Sequence, residues 1–550
     1  MIKRYYPYVI IFFFALLLFI PNLSNTTLFD WDEINFAEAA REMIVNGDYS
    51  RVTINFLPFW EKPPLFLWMQ AVCMNMFGIN EFAARLPNAI FGIISLLTLF
   101  AIGKKYFGEK MAWLWVVIYT GSFFAQFYFM MGMIDPVFNY FIFLGIYFLF
   151  KYSTDENTEK KSSSERIKLV SISGMFVGLA VLTKGPVGFL IVFLCITVYF
   201  ILKRKSFSLK VYEMLLFCFI VFIVSTAWFG IETLKNGFFF LREFIVYQIR
   251  LFNTQDAGHG GPFYYHFVII LIGLFPASVF AIWGFRKISL DSVNQKAFHT
   301  WMVILFWVVM ILFAIVKTKI VHYSSLAYFP VTFLAAYYLN NVITEKAKWK
   351  RWKDVLIIIM GSILTIIVVS LPIIFVYKDR WIDKISDKFS ADLIMKPVQW
   401  TGFETLAYAL LIVGIFVFIL VRKRKGYFTG LVLLFVIYSI GINLSLKFFA
   451  PKIDEHLQKD IVGFYKSLEN KDVYCDVIGF KSYAHLFYTY KKNPENKNSL
   501  NHDWLLSGKI DKPVYFVCKS TYRDKMEKEH PEIKEIKQIG GYIIYLRDKN

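Results

Sequence analysis

The chain has 550 residues, 57% of them hydrophobic and 19% aromatic, with 60 phenylalanines and a mean hydropathy of +0.50. That composition excludes an ordinary soluble protein and points to a polytopic membrane protein. The net charge of +19 sits in clusters beside apolar runs, so it reads as membrane topology, and nucleic acid is set aside as a partner.

Apolar runs of about 20 residues, the length that crosses roughly 30 Å of hydrocarbon, recur along the chain. They lie at 7–22, 82–103, 111–131, 133–150, 168–183, 186–202, 211–230, 263–285, 299–316, 323–341, 354–377, 404–421 and 427–448. This predicts about thirteen spans. The first follows Lys3-Arg4, and Pro21-Asn22-Leu23-Ser24 lacks a small-residue cleavage site, so the run is expected to stay as a span. Basic clusters at Lys104-Lys105, Lys160-Lys161, Lys203-Arg204-Lys205, Arg286-Lys287, 346–353 and Arg422-Lys423-Arg424-Lys425 mark every second connection as cytoplasmic. Segments 23–81, 231–262 and 378–403 and the C-terminal tail then face outward, across a cell inner (plasma) membrane.

The first outward segment carries Asp32-Glu33 and, later, Glu61-Lys62-Pro63-Pro64. Charged groups at the membrane boundary are costly to desolvate and mark places where something polar binds or reacts. A solvated loop would carry such charges too. Between the motifs, Ile34, Ala37, Met43 and Ile44 mingle with Glu38, Arg41 and Glu42, and residues 65–77 are apolar. Both stretches suit helices lying in the interface plane, the second opened by Pro63-Pro64. Asp32 and Glu61 are expected to meet over one cavity.

Three more polar positions fall at outer span ends: Asp135 before Pro136, Lys184 before Gly185-Pro186, and Lys317-Thr318-Lys319 followed by His322-Tyr323. A lysine at a helix end is often a snorkelling anchor. The break at Gly185-Pro186 also lets an ammonium and backbone amides face one anion. Acids and lysines gathered on one outer face fit a phosphorylated lipid. The glycine-rich segment 256–262, with His259, suits a cover over that ligand. His259, His266 and His322 lack ligand spacing, so no metal ligand is assigned and no cofactor is required, while a divalent metal stays open.

Beyond residue 450 the pattern changes. Strand-like pieces at 472–478, 513–518 and 542–546 alternate with helical ones at 454–468, 483–490 and 521–529, giving a small soluble α/β domain. It shows no phosphate loop or nucleophile arrangement and is expected to be accessory. Cys475 and Cys518 could pair in an oxidising compartment. The fold class is an all-α polytopic membrane protein (1–450) with a C-terminal soluble α/β domain (451–550).

The order and spacing of Asp32-Glu33, Phe36-Ala37-Glu38, Arg41-Glu42-Met43, Glu61-Lys62-Pro63-Pro64, Asn80-Glu81-Phe82-Ala83-Ala84-Arg85-Leu86-Pro87 and Leu182-Thr183-Lys184-Gly185-Pro186-Val187-Gly188 resemble the lipid A aminoarabinose transferases. These are grouped with the protein O-mannosyltransferases among GT-C glycosyltransferases. The resemblance covers residues 1 to about 340 and continues as topology to about 450. It implies thirteen spans, an outward active site, a polyprenyl (undecaprenyl) phosphate sugar donor, and inverting transfer to lipid A, another glycolipid, a glycan or a protein. Carried over by residue, it implies catalytic roles for Asp32, which takes the acceptor's proton or positions the acceptor, and for Asp135. Glu33, Glu61, Lys62, Lys184, Lys319, Tyr323 and His259 are the expected substrate-binding set, with Lys184 on the donor phosphate. The chain departs from the family pattern at Asn35, where Arg is usual, and at Tyr247-Gln248, where Glu-His is usual. Those departures leave the sugar and acceptor open. A lipid-linked sugar transporter or flippase, or a polymer-handling membrane protein, is the alternative, and a transporter should show midplane charges or repeated halves.

Overall fold

The computed structural model describes residues 2–154, 161–203, 209–254, 260–287 and 291–549. The chain is mostly helical. In its first part the helices are α1 (Ile2–Phe19), α2 (Asp32–Asn46), α3 (Leu65–Phe77), α4 (Glu81–Phe107), α5 (Glu109–Thr120), α6 (Phe123–Tyr128), α7 (Asp135–Ser153), α8 (Ser163–Lys184) and α9 (Val187–Lys203). There follow α10 (Val211–Asn236), α11 (Phe239–Asn253), α12 (Tyr265–Gly273), α13 (Ala277–Gly284), α14 (Val293–Ile315), α15 (Tyr328–Ile343), α16 (Trp352–Val376), α17 (Lys388–Met395) and α18 (Phe403–Phe448).

Among the described residues seven helices are long and apolar enough to cross a membrane, or eight if α12 and α13, bent by 113°, form one span. Such a chain is a multi-pass membrane protein. The span formed by the 3₁₀ turn Val321–Ala327 and α15 has 89% of its apolar window buried, against 17% for α10 and 22% for α16. The first lies at the centre of the bundle, and the other two turn apolar surface toward lipid. In α18 a glycine at positive φ, Gly426 (φ 84), interrupts the helix. The halves fold back on each other, so that a Cβ on Gly441 would lie 3.0 Å from the Ala407 carbonyl.

Helix α2 is not the interfacial helix that its mixed composition suggests. Glu33, Glu38, Arg41 and Glu42 are buried along with its apolar residues. Arg41 pairs with Glu38 at 2.6 Å and donates to the Lys491 carbonyl at 2.8 Å, while Glu42 accepts from Thr53 Oγ1 at 2.7 Å and from Phe56 N. Burial of these polar groups is tolerated here because each finds partners. The hairpin β1 (Thr53–Ile54) and β2 (Leu57–Pro58) supplies some of them.

After α18 come α19 (Ala450–Leu457), α20 (Lys459–Ser467), β3 (Tyr474–Ile478), α21 (Ala484–Tyr488), β4 (Val514–Lys519), β5 (Lys534–Ile539) and β6 (Tyr542–Arg547). The strands form a sheet ordered β3-β4-β6-β5, with β3 parallel to β4 and the other pairs antiparallel. Strand β5 lacks the alternation that marked the other three, because it is a charged, exposed edge. Val517 and Ile544 face the large helical core, and Phe516, Cys518 and Ile543 build a second core on the opposite face. Cys475 and Cys518 are both free and buried. Cys475 pairs with Tyr515 and Cys518 with Ile478, so an odd offset of three rungs puts the thiols on opposite faces of the sheet, about 10 Å apart along the strands.

Candidate active site

Asp32 opens α2, and the residue after it anchors the chain that leads in. Glu33 accepts from Arg85 at 2.9 and 2.8 Å, from Phe29 N at 2.9 Å and from Gly132 N. The same guanidinium donates to the carbonyls of Leu23, Thr26 and Thr27. The residues beyond 450 grip the other side of this segment. Asp454 accepts from Thr27 N at 2.9 Å and Oγ1 at 2.5 Å, Leu28 N donates to the Tyr488 hydroxyl at 2.8 Å, and Gln458 Nε2 donates to the Leu28 carbonyl at 2.7 Å. Trp31 stacks on Tyr483 with ring centroids 5.4 Å apart.

Asp32 faces a cavity of about 1230 Å³ lined also by Glu61, Lys62, Asp135, Lys184, His322 and Tyr323. Its apolar wall comes from Val187 and Leu190 of α9, Leu251 of α11, and Leu312 and Phe313 of α14. Asp135 is the first residue of α7, with Pro136 behind it where the missing amide costs nothing. Its Oδ1 receives Lys184 Nζ at 2.5 Å. Lys184 ends α8, and Gly185 turns the chain at φ +108, where a Cβ would also lie 2.8 Å from the Phe244 ring. Only glycine fits that turn without strain. Lys184 Nζ lies 5.1 Å from the Tyr323 ring centroid, and Lys62 Nζ lies 5.2 Å from that of Tyr247 on α11. Burial pulls the Lys62 ammonium below its ordinary range, opposed by Glu61 and reinforced by Lys184. The cavity thus gathers carboxylates and ammonium groups at the end of an apolar slot, an arrangement able to hold a phosphate and a hydroxyl together.

The structure brings together Asp32, Asp135, Glu61, Lys62, Lys184 and Tyr323 from the predicted set. Glu33 borders the cavity, but its carboxylate is taken up by Arg85 and backbone amides. Lys319 also borders it, yet its Nζ donates to the carbonyls of Phe313 (2.8 Å), Ala314 (2.7 Å) and Val316 (2.5 Å), capping the C-terminal end of α14. His259 lies outside the described residues. Sequence reasoning missed His322 as a site residue, although it stands between Lys319 and Tyr323, and it missed Lys481, which lines the mouth from the C-terminal region. Nothing local to Lys481 signals that position. Among the described residues no group of three or more His, Cys, Asp or Glu is placed to hold a metal ion.

Residues 61–228 match the family model for dolichyl-phosphate-mannose-protein mannosyltransferase. The chain is 27% identical over 370 residues to the undecaprenyl phosphate-alpha-4-amino-4-deoxy-L-arabinose arabinosyl transferase of Wigglesworthia glossinidia brevipalpis, covering 66% of this chain and 62% of that one. It is 24% identical over 365 residues to the transferase of the same name from Shewanella sediminis, covering 66% and 65%. The chain thus spans somewhat less than two thirds of either relative. The crystal structure of ArnT from Cupriavidus metallidurans bound to undecaprenyl phosphate superposes with a TM-score of 0.76 at 16% identity, covering 98% of this chain and 97% of that one. The apo form of ArnT gives a TM-score of 0.78 with the same identity and coverage. The chain has the fold of ArnT. The resemblance carried by the motifs therefore holds in sequence similarity and in fold. The positions that depart from the family pattern, Asn35, Tyr247 and Gln248, all line the cavity.

Proposed function

We propose that this protein is an inverting membrane glycosyltransferase, moving a sugar from a polyprenyl phosphate to an acceptor outside the cytoplasmic membrane. The observation that carries the reading is the union, in one cavity with an apolar wall, of Asp32 with the Asp135–Lys184 pair and Lys62. The donor's lipid chain lies along the apolar wall and its phosphate meets Lys184 and Lys62. The acceptor hydroxyl stands beside Asp32, on the far face of the sugar. The acceptor oxygen bonds to the anomeric carbon as the bond from that carbon to the phosphate oxygen breaks. Asp32 takes the hydroxyl proton, and the two lysines stabilise the charge growing on the departing lipid phosphate. With phosphate as leaving group, the reaction needs no nucleotide and no obligatory cofactor.

The relatives' names support undecaprenyl phosphate as carrier and 4-amino-4-deoxy-L-arabinose as a sugar to test first, with lipid A, another glycolipid, a glycan or a protein as acceptor. Thirteen crossings follow if α1, α4, α5 with α6, α7 to α10, α12 with α13, α14, α15, α16 and the two halves of α18 each count once. The basic connections then lie inside, and the cavity and the α/β domain after residue 450 lie on the periplasmic side of the inner membrane.

The test is transfer by purified protein and by Asp32→Asn, given a panel of undecaprenyl-phosphate sugars and a membrane lipid extract. The expected result is transfer by the wild type and a loss of at least about 100-fold in the variant. Equal transfer by both removes Asp32 from the chemistry, and no transfer by either, with donor binding intact, overturns the reading.

A further inference from the structure

His322 sits in the turn Val321–Ala327 and is 7% exposed. Its Nε2 lies 3.5 Å from Asp32 Oδ2 and 3.8 Å from Asp135 Oδ2. A nitrogen held between two carboxylates carries a proton there, because a lone pair would face two anions. One N–H serves one carboxylate at a time. The other charged neighbours are Lys184 from α8 and Lys62 from the segment before α3. His266 on α12 is adjacent and bonded through Nδ1 to Ser324 Oγ at 3.2 Å.

We infer that His322 is a positioning residue that couples the two ends of the reaction, a role that rests on the transferase reading above. In the resting site its Nε2–H faces Asp32 Oδ2 at 3.5 Å and orients it, leaving the other oxygen to face the acceptor hydroxyl. During transfer the acceptor oxygen–carbon bond forms, the carbon–phosphate oxygen bond breaks, and the hydroxyl proton moves to Asp32, which becomes neutral. The departing phosphate gains charge at the same time and draws Lys184 away from Asp135. The His322 N–H, no longer needed by a neutral Asp32, turns to Asp135 and compensates it. No proton leaves His322. It moves a hydrogen bond from the acid that has lost its charge to the acid that has lost its partner.

The test compares wild type, His322→Phe and His322→Gln by kcat and donor KM from about pH 5 to pH 9. The phenyl ring keeps the bulk and loses the donor, whereas the Gln amide can present an N–H near the Nε2 position. We expect His322→Phe to lower kcat by about 100-fold, the scale of a misoriented catalytic group, with donor KM within about 3-fold. Its pH profile should also depart from that of the wild type on the acid side, because no N–H then faces the two carboxylates. His322→Gln should recover most of kcat and the wild-type acid limb. If His322→Phe does not fold, His322→Met supplies the donor-free case. Equal losses in the Gln and donor-free variants, or a wild-type pH profile in the latter, overturn the inference and reduce His322 to a space-filling role. Absence of transfer by the wild type itself with every donor overturns the transferase reading, and this inference with it.

Discussion

Replacing Arg85 by Met tests whether the Glu33–Arg85 pair is structural. Both side chains are about 2% exposed. The guanidinium makes two bonds to the carboxylate and three to the carbonyls of Leu23, Thr26 and Thr27, all between 2.8 and 2.9 Å. Arg85→Met leaves Glu33 a buried anion held only by the amides of Phe29 and Gly132, and it strips three carbonyls of their donor. Removing one partner of a buried pair costs about 3–5 kcal/mol, and the orphaned carbonyls place this case at the upper end. The adjacent Asp32 should also shift, and a displacement of about 1 Å costs on the order of 100-fold in turnover. Adding Glu33→Leu to Arg85→Met removes the unpaired anion and should recover part of the stability. Thermal unfolding of the detergent-solubilised protein, followed by tryptophan fluorescence, measures both variants. An Arg85→Met protein as stable as the wild type, or a double variant no better than the single one, would refute the reasoning. Glu33→Gln with raised KM and unchanged stability would restore Glu33 to substrate binding, as its sequence position suggested.

Lys319→Met should lower the unfolding temperature, through loss of the three carbonyl bonds at the end of α14, while leaving donor KM within about 3-fold; a large rise in KM with no loss of stability would return Lys319 to the phosphate. Glu42 is pushed up to about 8 from 4.5, chiefly by burial and then by Glu38. Between those values the folded chain holds a proton that the unfolded chain has released, so the contribution of Glu42 to stability is full below about 4.5 and is lost as pH rises through about 8. The unfolding temperature of Glu42→Gln relative to wild type should therefore rise with pH across that window, and a constant difference would sink the assignment.

The multi-pass character was legible because hydrocarbon imposes one length and one composition on every crossing. Lys184 was legible for a related reason: Gly185-Pro186 ends the helix at that lysine whatever surrounds it. The burial of α2 was not. Glu38, Arg41 and Glu42 at helical spacing look like a solvated face, and the groups that cover them include a carbonyl 450 positions away from Arg41. Lys319 shows the same limit at short range. A lysine after an apolar run can reach outward to a phosphate or backward to the last carbonyls of its helix, and local sequence fits both. Only the backbone path between Ile315 and Lys319 decides it, and here it brings three carbonyls within reach of one ammonium.

The residues beyond 450, expected to be accessory, bear directly on Asp32. The loop before α2 has no regular structure of its own, so its backbone groups need partners from elsewhere. Arg85 on α4 supplies donors to Thr26 and Thr27 from one side. Asp454, Gln458 and Tyr488 supply partners to Thr27 and Leu28 from the other side, and Tyr483 stacks on Trp31. Each set alone leaves one side of the loop unheld. In the catalytic role proposed for it, Asp32 must keep its orientation to within a fraction of an ångström, and its placement depends on contacts from both ends of the chain. The same packing brings Lys481 to the cavity mouth, its Nζ 4.7 Å from the Trp31 ring centroid, next to the residue on which the acceptor's proton is proposed to fall. The segment in which the sequence offered no functional motif thus holds the loop that leads to Asp32 and lends the cavity Lys481.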